Sequence, residues 1–480
     1  MNRKLVIYTM AALLMVSCST KDEIIDHAAS AVERNAVESA KQPLAFGGYV
    51  DRTTTRAGQT GKLSNDVLKA NGFGVIAYYT DNNLYSDIYK PNFMYNMQVK
   101  YDDQISAWTY EPVQFWPNEM GDSGGSESID RLTFFAYAPW TEVTYSTGIV
   151  TGDKTSGIVG MTSNTATGDP YVKYIASLEP ANQVDLTWGV ANEAFTSSAS
   201  SVANEIAAGD PYVDVVKPAV GSKIDFNFKH ALAAFNVQVD ADVDVRNTHQ
   251  GTDNHTAGLD ASTKIYVRKV IFEGFTTKGS FNLNASKPVW YDMSGKEFIE
   301  TSPVSVYDGR VDGREGAAEA VNETPAKLNS EIVQQTMWNA APANDGVTNV
   351  AKNLFASETV GGHVFVIPTG RPLRVTIVYD VETAEPNLPG LLSDGKTHGV
   401  SVENSISKNI TLTNGENMVM EAGKLYTLKL HLGMTGVRFD VNYSNTWDSE
   451  TANTDITTET SIQETDPDFT GNAGKAIEDV

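Results

Sequence analysis

The sequence predicts an all-β fold built from antiparallel β-sandwiches. Many short runs of β-branched and aromatic residues are separated by the glycine, proline, asparagine and aspartate residues that favour turns. Helical periodicity is scarce, and only residues 192–207 show enough of it to predict a short helix. Because regular helices do not alternate with the strands, antiparallel sandwiches are expected instead of a parallel sheet.

The predicted strands form two groups along the chain. The first group lies at 44–50, 73–79, 94–99, 108–116, 132–137 and 212–216. The second group lies at 223–228, 235–239, 265–272, 280–283, 364–367, 373–379, 424–432 and 437–443. A predicted linker at 215–221 (VVKPAVG) separates them, so we divide the body into an N-terminal domain, 57–220, and a C-terminal domain, 221–447.

Residues 1–18 have the layout of a lipoprotein signal peptide. Arg3 and Lys4 precede an apolar run of about a dozen residues, which is too short to cross a bilayer. The run leads to Met-Val-Ser-Cys at 15–18, which resembles a bacterial lipobox with Met15 in place of the usual leucine. Cys18, the only cysteine, is therefore predicted to carry the lipid. The alternative is a plain secretory signal with an incidental cysteine.

Residues 19–56 are predicted to form a tether or pro-segment that includes a first strand at 44–50. The lysine and acidic residues at 19–23 resemble a signal for export to the outer face of the outer membrane, and the alternative is a solvated tether. In the strand, alternation places Leu44, Phe46 and Val50 on one face. A polar loop at 51–62 follows it.

The net negative charge of the chain limits the classes of partner that it is expected to bind. The sequence has 36 Lys and Arg against 60 Asp and Glu, a net charge of −24. A negative field of this kind repels phosphate backbones, so nucleic acid is not an expected partner. The tail 448–480 carries many carboxylates with Lys475 as its only base, and it is expected to be disordered or to order against a partner.

The motifs do not assemble into a catalytic, cofactor or metal site. Gly-Asp-Ser-Gly-Gly at 121–125 matches the nucleophile segment of trypsin-like proteases, but the histidine segment of that family is absent, so we interpret the motif as a turn. The seven histidines form no close ligand pair, and His230 is interpreted as a histidine at the edge of the core. The chain is accordingly predicted to be no enzyme and to use no cofactor.

Several segments carry a family resemblance when taken together. They are 44–50 with Thr-Arg-Ala at 55–57, then 72–79, 116–117, 134–139, 226–232 and 421–428. In this order they resemble the fimbrillin family of Bacteroidota, which includes the type V pilins and the Mfa-like fimbrillins. The resemblance implies two transthyretin-like antiparallel β-sandwich domains in tandem.

The resemblance also implies a function and a site. Such pilins reach the surface of the outer membrane as lipoproteins, and a trypsin-like protease cuts them after an arginine behind the first strand. Arg56 is the expected cleavage site, and Arg52 is the second choice. Loss of the strand that carries Leu44, Phe46 and Val50 would open a groove that a strand of another fimbrial subunit fills. The implied product is a fimbria, or pilus, that mediates adhesion to a host protein or glycan.

The donor segment and the subunit role stay open at this stage. Residues 437–441 alternate well but are either the donor or the last intrinsic strand, and 456–462 alternates only thinly. Stalk and tip roles both remain, while a lipid-retaining anchor fits less well. The alternative function is a surface lipoprotein that binds a glycan or host protein without polymerising. Exposed aromatics such as Trp108, Trp140 and Trp290 would serve it, although core packing is the preferred interpretation for most of them.

Overall fold

A computed structural model describes residues 42–50, 63–117, 130–152, 154–178, 182–199, 202–218, 221–241, 263–298, 302–308, 352–353, 363–392, 397–411, 416–432, 437–444 and 459–461. The predicted lipid site Cys18, the arginines Arg52 and Arg56, and the 121–125 motif lie outside these residues. Most of the predicted tether, of the predicted tail and of the 309–362 region lies outside them as well. Contacts divide the chain into Met1–Pro43 and the compact unit Leu44–Val480.

The described part of Leu44–Val480 is almost entirely β-structure. In chain order the elements are β1 (Phe46–Val50), α1 (Asn65–Asn71), β2 (Phe73–Asp81), β3 (Met94–Asp102), β4 (Ala107–Thr109), β5 (Arg131–Ala138), β6 (Val143–Thr144), β7 (Ile149–Val150), β8 (Gly157–Met161), β9 (Tyr171–Ile175), β10 (Thr187–Ala191), β11 (Phe195–Ala199), β12 (Val202–Ile206), β13 (Tyr212–Val215), β14 (Ile224–His230), β15 (Ala233–Ala241), β16 (Thr263–Glu273), β17 (Phe275–Thr276), β18 (Lys278–Asn282), β19 (Trp290–Tyr291), β20 (Val304–Asp308), β21 (Lys352–Asn353), β22 (Val364–Pro368), β23 (Arg374–Ala384), β24 (Gly399–Asn409), β25 (Leu425–Leu432), β26 (Val437–Ser444) and β27 (Glu459–Ser461). The predicted all-β class is confirmed.

Four larger sheets and one hairpin organise these strands. The central sheet has the order β1-β14-β10-β5-β2-β3-β4, with β13 paired to β5. A second sheet has the order β19-β18-β9-β8-β7-β6. The third sheet, β17-β22-β15-β25-β26-β27 with β21 on β15, accompanies a fourth, β20-β16-β23-β24. Most pairs are antiparallel, but β1 with β14 and β15 with β25 are parallel.

The central sheet is buried on both faces. Along β5, Phe134 belongs to one core cluster, and Phe135 and Tyr137 belong to the other. Successive side chains of a strand point to opposite faces, so a strand that is covered on both sides needs a continuous apolar run. This explains why the sequence of β5 is nearly unbroken in its hydrophobicity, RLTFFAYA.

The third and fourth sheets contact each other through an aromatic cluster. Phe235 on β15 contacts Phe272 on β16 and Phe275 on β17, with ring centroids 5.0 and 5.5 Å apart. All three rings are fully buried. The first pair is edge-to-face and the second is tilted, and such contacts add to the stabilisation that burial of apolar area provides.

The short helix α1 is defined by capping residues at both ends and by two buried side chains. Ser64 is its N-cap and accepts a hydrogen bond from the Val67 N–H at 3.3 Å. Val67 and Leu68 face the core, while Gly72 ends the helix with a φ of +70°, a conformation that favours glycine. The seven-residue helix therefore owes its stability to its caps and to tertiary packing.

Two sequence predictions need correction. Residues 192–207 contain the hairpin β11–β12, in which Phe195 pairs with Ile206, and the predicted helix is wrong. The run of apolar residues there is short, so pairing across the turn outweighs a weak helical pattern. Within the predicted strand 108–116, regular pairing ends at Thr109, since Pro112 lacks the N–H that a ladder requires.

The division at residue 220 stays a prediction. The strand β14, which that division assigns to the second domain, pairs with β10 and β1 of the central sheet. Likewise, β18 pairs with β9. Strands from both sides of the predicted boundary therefore share sheets.

Trp188 joins the central sheet to the segment after β18, and its replacement tests this junction. Its indole N–H donates to the Ala285 carbonyl at 2.9 Å, and its ring lies 5.1 Å from that of Phe281. We expect Trp188→Phe to lower the free energy of unfolding by about 1–3 kcal/mol, because it loses this bond and leaves a cavity. Urea unfolding followed by circular dichroism measures the change. Tyr145→Phe, at a side chain that is 65% exposed, is the control, and an equal change in both variants would contradict the expectation.

Candidate functional site: the first strand and its groove

The first strand β1 lies at the end of the central sheet and pairs only with β14 within the described ladder. The pairing is parallel, with Phe46 opposite Ile224 and Val50 opposite Phe228. A strand held by one neighbour can leave without breaking the order of the remaining strands. This position makes β1 the candidate functional element of the protein.

The apolar side chains of this strand complete a core. Leu44, Phe46 and Val50 are 3%, 4% and 1% exposed, so the predicted common face is a buried face. The ring of Phe46 lies 5.1 Å from that of Tyr110 and 5.9 Å from that of Phe134. The space that these three side chains occupy, together with the β14 edge, is hereafter called the β1 groove.

The start of the strand bridges the two ends of the central sheet. The Leu44 N–H donates to the Gln114 carbonyl at 2.9 Å, and the Tyr110 hydroxyl donates to the Leu44 carbonyl at 3.0 Å. Tyr110 and Gln114 follow β4, which is the opposite end of the sheet from β1. Burial raises the pKa of Tyr110, although its hydrogen bond with Gln114 lowers it, so the phenol stays protonated and able to donate. The sheet therefore curls until its ends meet at Leu44.

The end of the strand is held by Asn65, the first residue of α1. The Val50 N–H donates to Asn65 Oδ1 at 2.8 Å, and Asn65 Nδ2 donates to the Val50 carbonyl at 3.1 Å. One amide thus satisfies both backbone groups of Val50. Both hydrogen bonds are made to backbone atoms of Val50, so they do not depend on which side chain occupies position 50.

The buried carboxylate of Asp185 holds the backbone at Leu63, the first described residue after the 51–62 segment. Asp185 Oδ2 accepts from the Leu63 N–H at 2.9 Å and lies 2.6 Å from His230 Nδ1. The Asp185 side chain is fully buried, and that of His230 is 13% exposed. His230 is therefore a partnered histidine at the edge of the core, as the sequence predicts. The segment 51–62, with Arg52 and Arg56, lies between two residues whose backbones are held, Val50 and Leu63.

The aromatic residues that would suit a sugar-binding role are engaged within the protein. The indole N–H of Trp290 donates to the Ala231 carbonyl at 2.8 Å, and that of Trp140 donates to the Asn96 carbonyl at 3.2 Å. The Trp108 ring lies 5.0 Å from that of Phe73. All three side chains are half-buried, which favours the packing interpretation of these residues.

The described residues contain no group of three or more His, Cys, Asp or Glu that is placed to hold a metal ion. Among the helices of the described ranges, none has the length and apolar character needed to span a bilayer.

The sequence analysis missed two residues of the site, Asn65 and Asp185. A polar residue that follows the serine cap of a short helix was the available signal for the first, and no local pattern marks the second.

Comparison with solved structures found fimbrial and cell adhesion proteins. A fimbrial protein from Bacteroides vulgatus is 18% identical, with a TM-score of 0.48 and coverage of 84% of this chain and 99% of that one. A Bacteroides uniformis protein, provisionally described as a cell adhesion protein, is 11% identical with a TM-score of 0.32 and coverage of 84% and 97%. A fimbrial assembly protein from Parabacteroides distasonis is 8% identical with a TM-score of 0.29 and coverage of 84% and 96%.

Because each of these TM-scores is below 0.5, the likenesses assign no function to this chain. No family model matches the sequence. No curated protein matches it either.

Phe46→Ala tests how much the body depends on the groove being filled. We expect the free energy of unfolding to fall by about 3–5 kcal/mol, because a buried aromatic side chain is removed from between other rings. Chemical denaturation of the full chain measures this. Ala45→Ser, at the exposed neighbouring position, should change stability by no more than about 0.5 kcal/mol. A loss of stability at Phe46 no larger than at Ala45 would show that β1 does not belong to the core.

Asn65→Ala tests the backbone clamp on Val50. Loss of two hydrogen bonds is expected to weaken the docking of β1 by about 1–2 kcal/mol, which corresponds to roughly tenfold faster amide hydrogen exchange in Phe46–Val50. Asn71→Ala is the matched control, since Asn71 lies on the same helix and its side chain donates to Val67 within that helix. Unchanged exchange in β1 of the Asn65 variant would rule out the clamp.

Proposed function

We propose that this chain is a structural subunit, stalk or tip, of a cell-surface fimbria that mediates adhesion. It is exported as a lipoprotein through Cys18, reaches the outer membrane, is cut after Arg56 and assembles by donor-strand exchange with other fimbrial subunits. The single observation that carries the proposal is the position of β1, an edge strand that, together with Leu44 just before it, supplies three buried side chains to the core.

The energetics of the groove support assembly by strand replacement. Each of Leu44, Phe46 and Val50 contributes roughly 1.5–3 kcal/mol through burial, by transfer estimates. Removal of β1 would expose these sites together with the unpaired backbone edge of β14. Exposed apolar sites and an open edge both favour the binding of another strand.

The placement of the arginines supports maturation by proteolysis. Arg52 is two residues beyond Val50, whose backbone the Asn65 amide holds. Arg56 is six residues beyond Val50 and seven before Leu63, near the middle of the connection between the two held residues. A protease must bind several residues of extended chain, so the proposal favours Arg56, which is farther along the chain from the held residue Val50. A cut there separates the lipid-bearing segment with β1 from the body that begins at Ala57.

The competing function is a surface lipoprotein that binds a glycan or host protein and stays monomeric. The engaged positions of Trp108, Trp140 and Trp290 do not favour a sugar-stacking surface made by these residues. The fimbrial proposal and this alternative differ in what happens after cleavage, which can be observed directly.

Treatment of the purified full chain with a trypsin-like protease tests the proposal. We expect a cut after Arg56, shown by N-terminal sequencing, followed by ladders of bands that persist in SDS. Arg56→Ala should abolish the ladder, and Arg52→Ala should leave it intact. A product that begins at Ala57 and remains monomeric would overturn assembly by donor-strand exchange and favour the binding protein.

A further inference from the structure

Two consecutive glycines in β1 face opposite sides of the central sheet. Gly48 lies on the buried side with Phe46 and Val50, since residues two apart share a face. A Cβ at Gly48 would lie 2.9 Å from a ring carbon of Phe228 and 3.0 Å from one of Phe73. Both rings are fully buried and lie 5.1 Å apart, so neither can move aside easily. The site of Gly48 therefore admits no side chain without repacking.

The neighbouring glycine has a different environment. A Cβ at Gly47 would meet the carboxylate of Asp225, a side chain that is 26% exposed and pairs with Lys223 at 3.3 Å. A partly exposed carboxylate can rotate away from an added methyl group, whereas two buried rings cannot. Gly47 and Gly48 therefore form a natural matched pair for experiment.

The Asn65 clamp determines which residue of a strand reaches the Gly48 site. Asn65 binds the backbone at position 50, and the parallel ladder with β14 continues from that point. Because Asn65 binds only backbone atoms, it can hold any strand. The residue two positions before the one that Asn65 holds then faces Phe73 and Phe228. The residue four positions earlier enters the site of Phe46.

We propose that Phe73 and Phe228 act as a glycine filter and Asn65 as a register stop, which together select the strand that the β1 groove accepts. This inference deepens the proposed function and rests on it for the identity of the incoming strand. The accepted strand carries an apolar residue, any residue and then glycine, followed two positions later by a small or apolar residue.

The filter decides among segments of this chain. The alternating segments 437–443 and 456–462 contain no glycine, so neither can satisfy it. Moreover, β26 is already paired on both sides, by β25 and β27. Both candidates from the sequence pattern are thus disfavoured as occupants of the groove.

Several segments meet this rule, and those that also keep a phenylalanine ring for the site of Phe46 have the sequence Phe-x-Gly, which occurs at three places, 46–48, 272–274 and 469–471. The first is β1 itself, and the second begins within β16 of the fourth sheet. We assign 469–473 of a second copy as the occupant, with Phe469 in the place of Phe46, Gly471 in that of Gly48 and Ala473 in that of Val50. Pro467 would then take the place of Leu44 and, having no N–H, would give up the hydrogen bond to Gln114.

Amide hydrogen exchange in the uncut full chain tests the filter without any assembly step. Gly48→Ala should accelerate exchange in Phe46–Val50 about tenfold or more, because overpacking expels β1, and Gly47→Ala should change it by no more than about twofold. Adding Phe228→Leu to the Gly48 variant should restore slow exchange, which a general folding defect would not allow. Equal exchange in the two glycine variants, or failure of the rescue, would overturn the filter.

The cleaved chain tests the assigned occupant. After cleavage at Arg56, release of the β1 fragment is measured with excess synthetic peptide covering 467–474, with its Gly471→Val variant, and with a peptide covering 43–50 as reference. We expect the first and the reference to displace β1 and the valine variant to need at least about tenfold more peptide. Displacement by the reference but not by 467–474, or equal action of the valine variant, would overturn the assignment. Absence of displacement even by the reference would overturn strand exchange itself, while the test on the uncut chain still decides the filter.

Discussion

The whole arrangement depends on how one edge of the central sheet is closed. The core between the two ends of that sheet is complete only when Leu44, Phe46 and Val50 are in place. The Phe46 ring lies between Tyr110 at one end of the sheet and Phe226 on β14, at centroid distances of 5.1 Å and 6.3 Å. Without it, the apolar surfaces of these two residues would lose the side chain that covers both. A short strand with few neighbours thus carries a large share of the packing in this region. Its removal changes the core, and not only the edge.

This dependence follows from a central sheet that is covered on both faces. One face packs against the second sheet through residues such as Trp188 and Tyr174, so it cannot open when β1 leaves. The other face is closed by α1, by the segment after β4 and by β1 itself. The fold therefore has one core that is closed by the second sheet and another that is completed by the edge strand β1. A rigid face holds the β14 edge in position, which lowers the ordering cost for any strand that pairs with it.

Sequence reasoning predicted the fold class and the buried face of the first strand, because both depend on local alternation. The face shared by Leu44, Phe46 and Val50 follows from a period of two, and their burial agrees with it. The hairpin at 192–207 was missed because a short polar-rich stretch has no strong period, and pairing between Phe195 and Ile206 decides its structure. The parallel register of β1 on β14 joins residues about 180 positions apart, and no local signal specifies it. Asp185 acts on Leu63, 122 positions away, and was missed for the same reason, whereas the serine cap before Asn65 was a local signal that went unused.

The Asn65 clamp has a consequence for what a cut in the 51–62 connection accomplishes. Asn65 belongs to the polypeptide downstream of the cut, yet it grips the last residue of the strand upstream of it. Proteolysis therefore severs a covalent tie and leaves every noncovalent one in place. What changes is effective concentration: the strand, once tethered at millimolar levels to its own groove, becomes a separate ligand that is lost on dilution. A chain cut there would thus keep its groove filled while the fragment stayed bound, and the groove would open to a new occupant only after the fragment had diffused away.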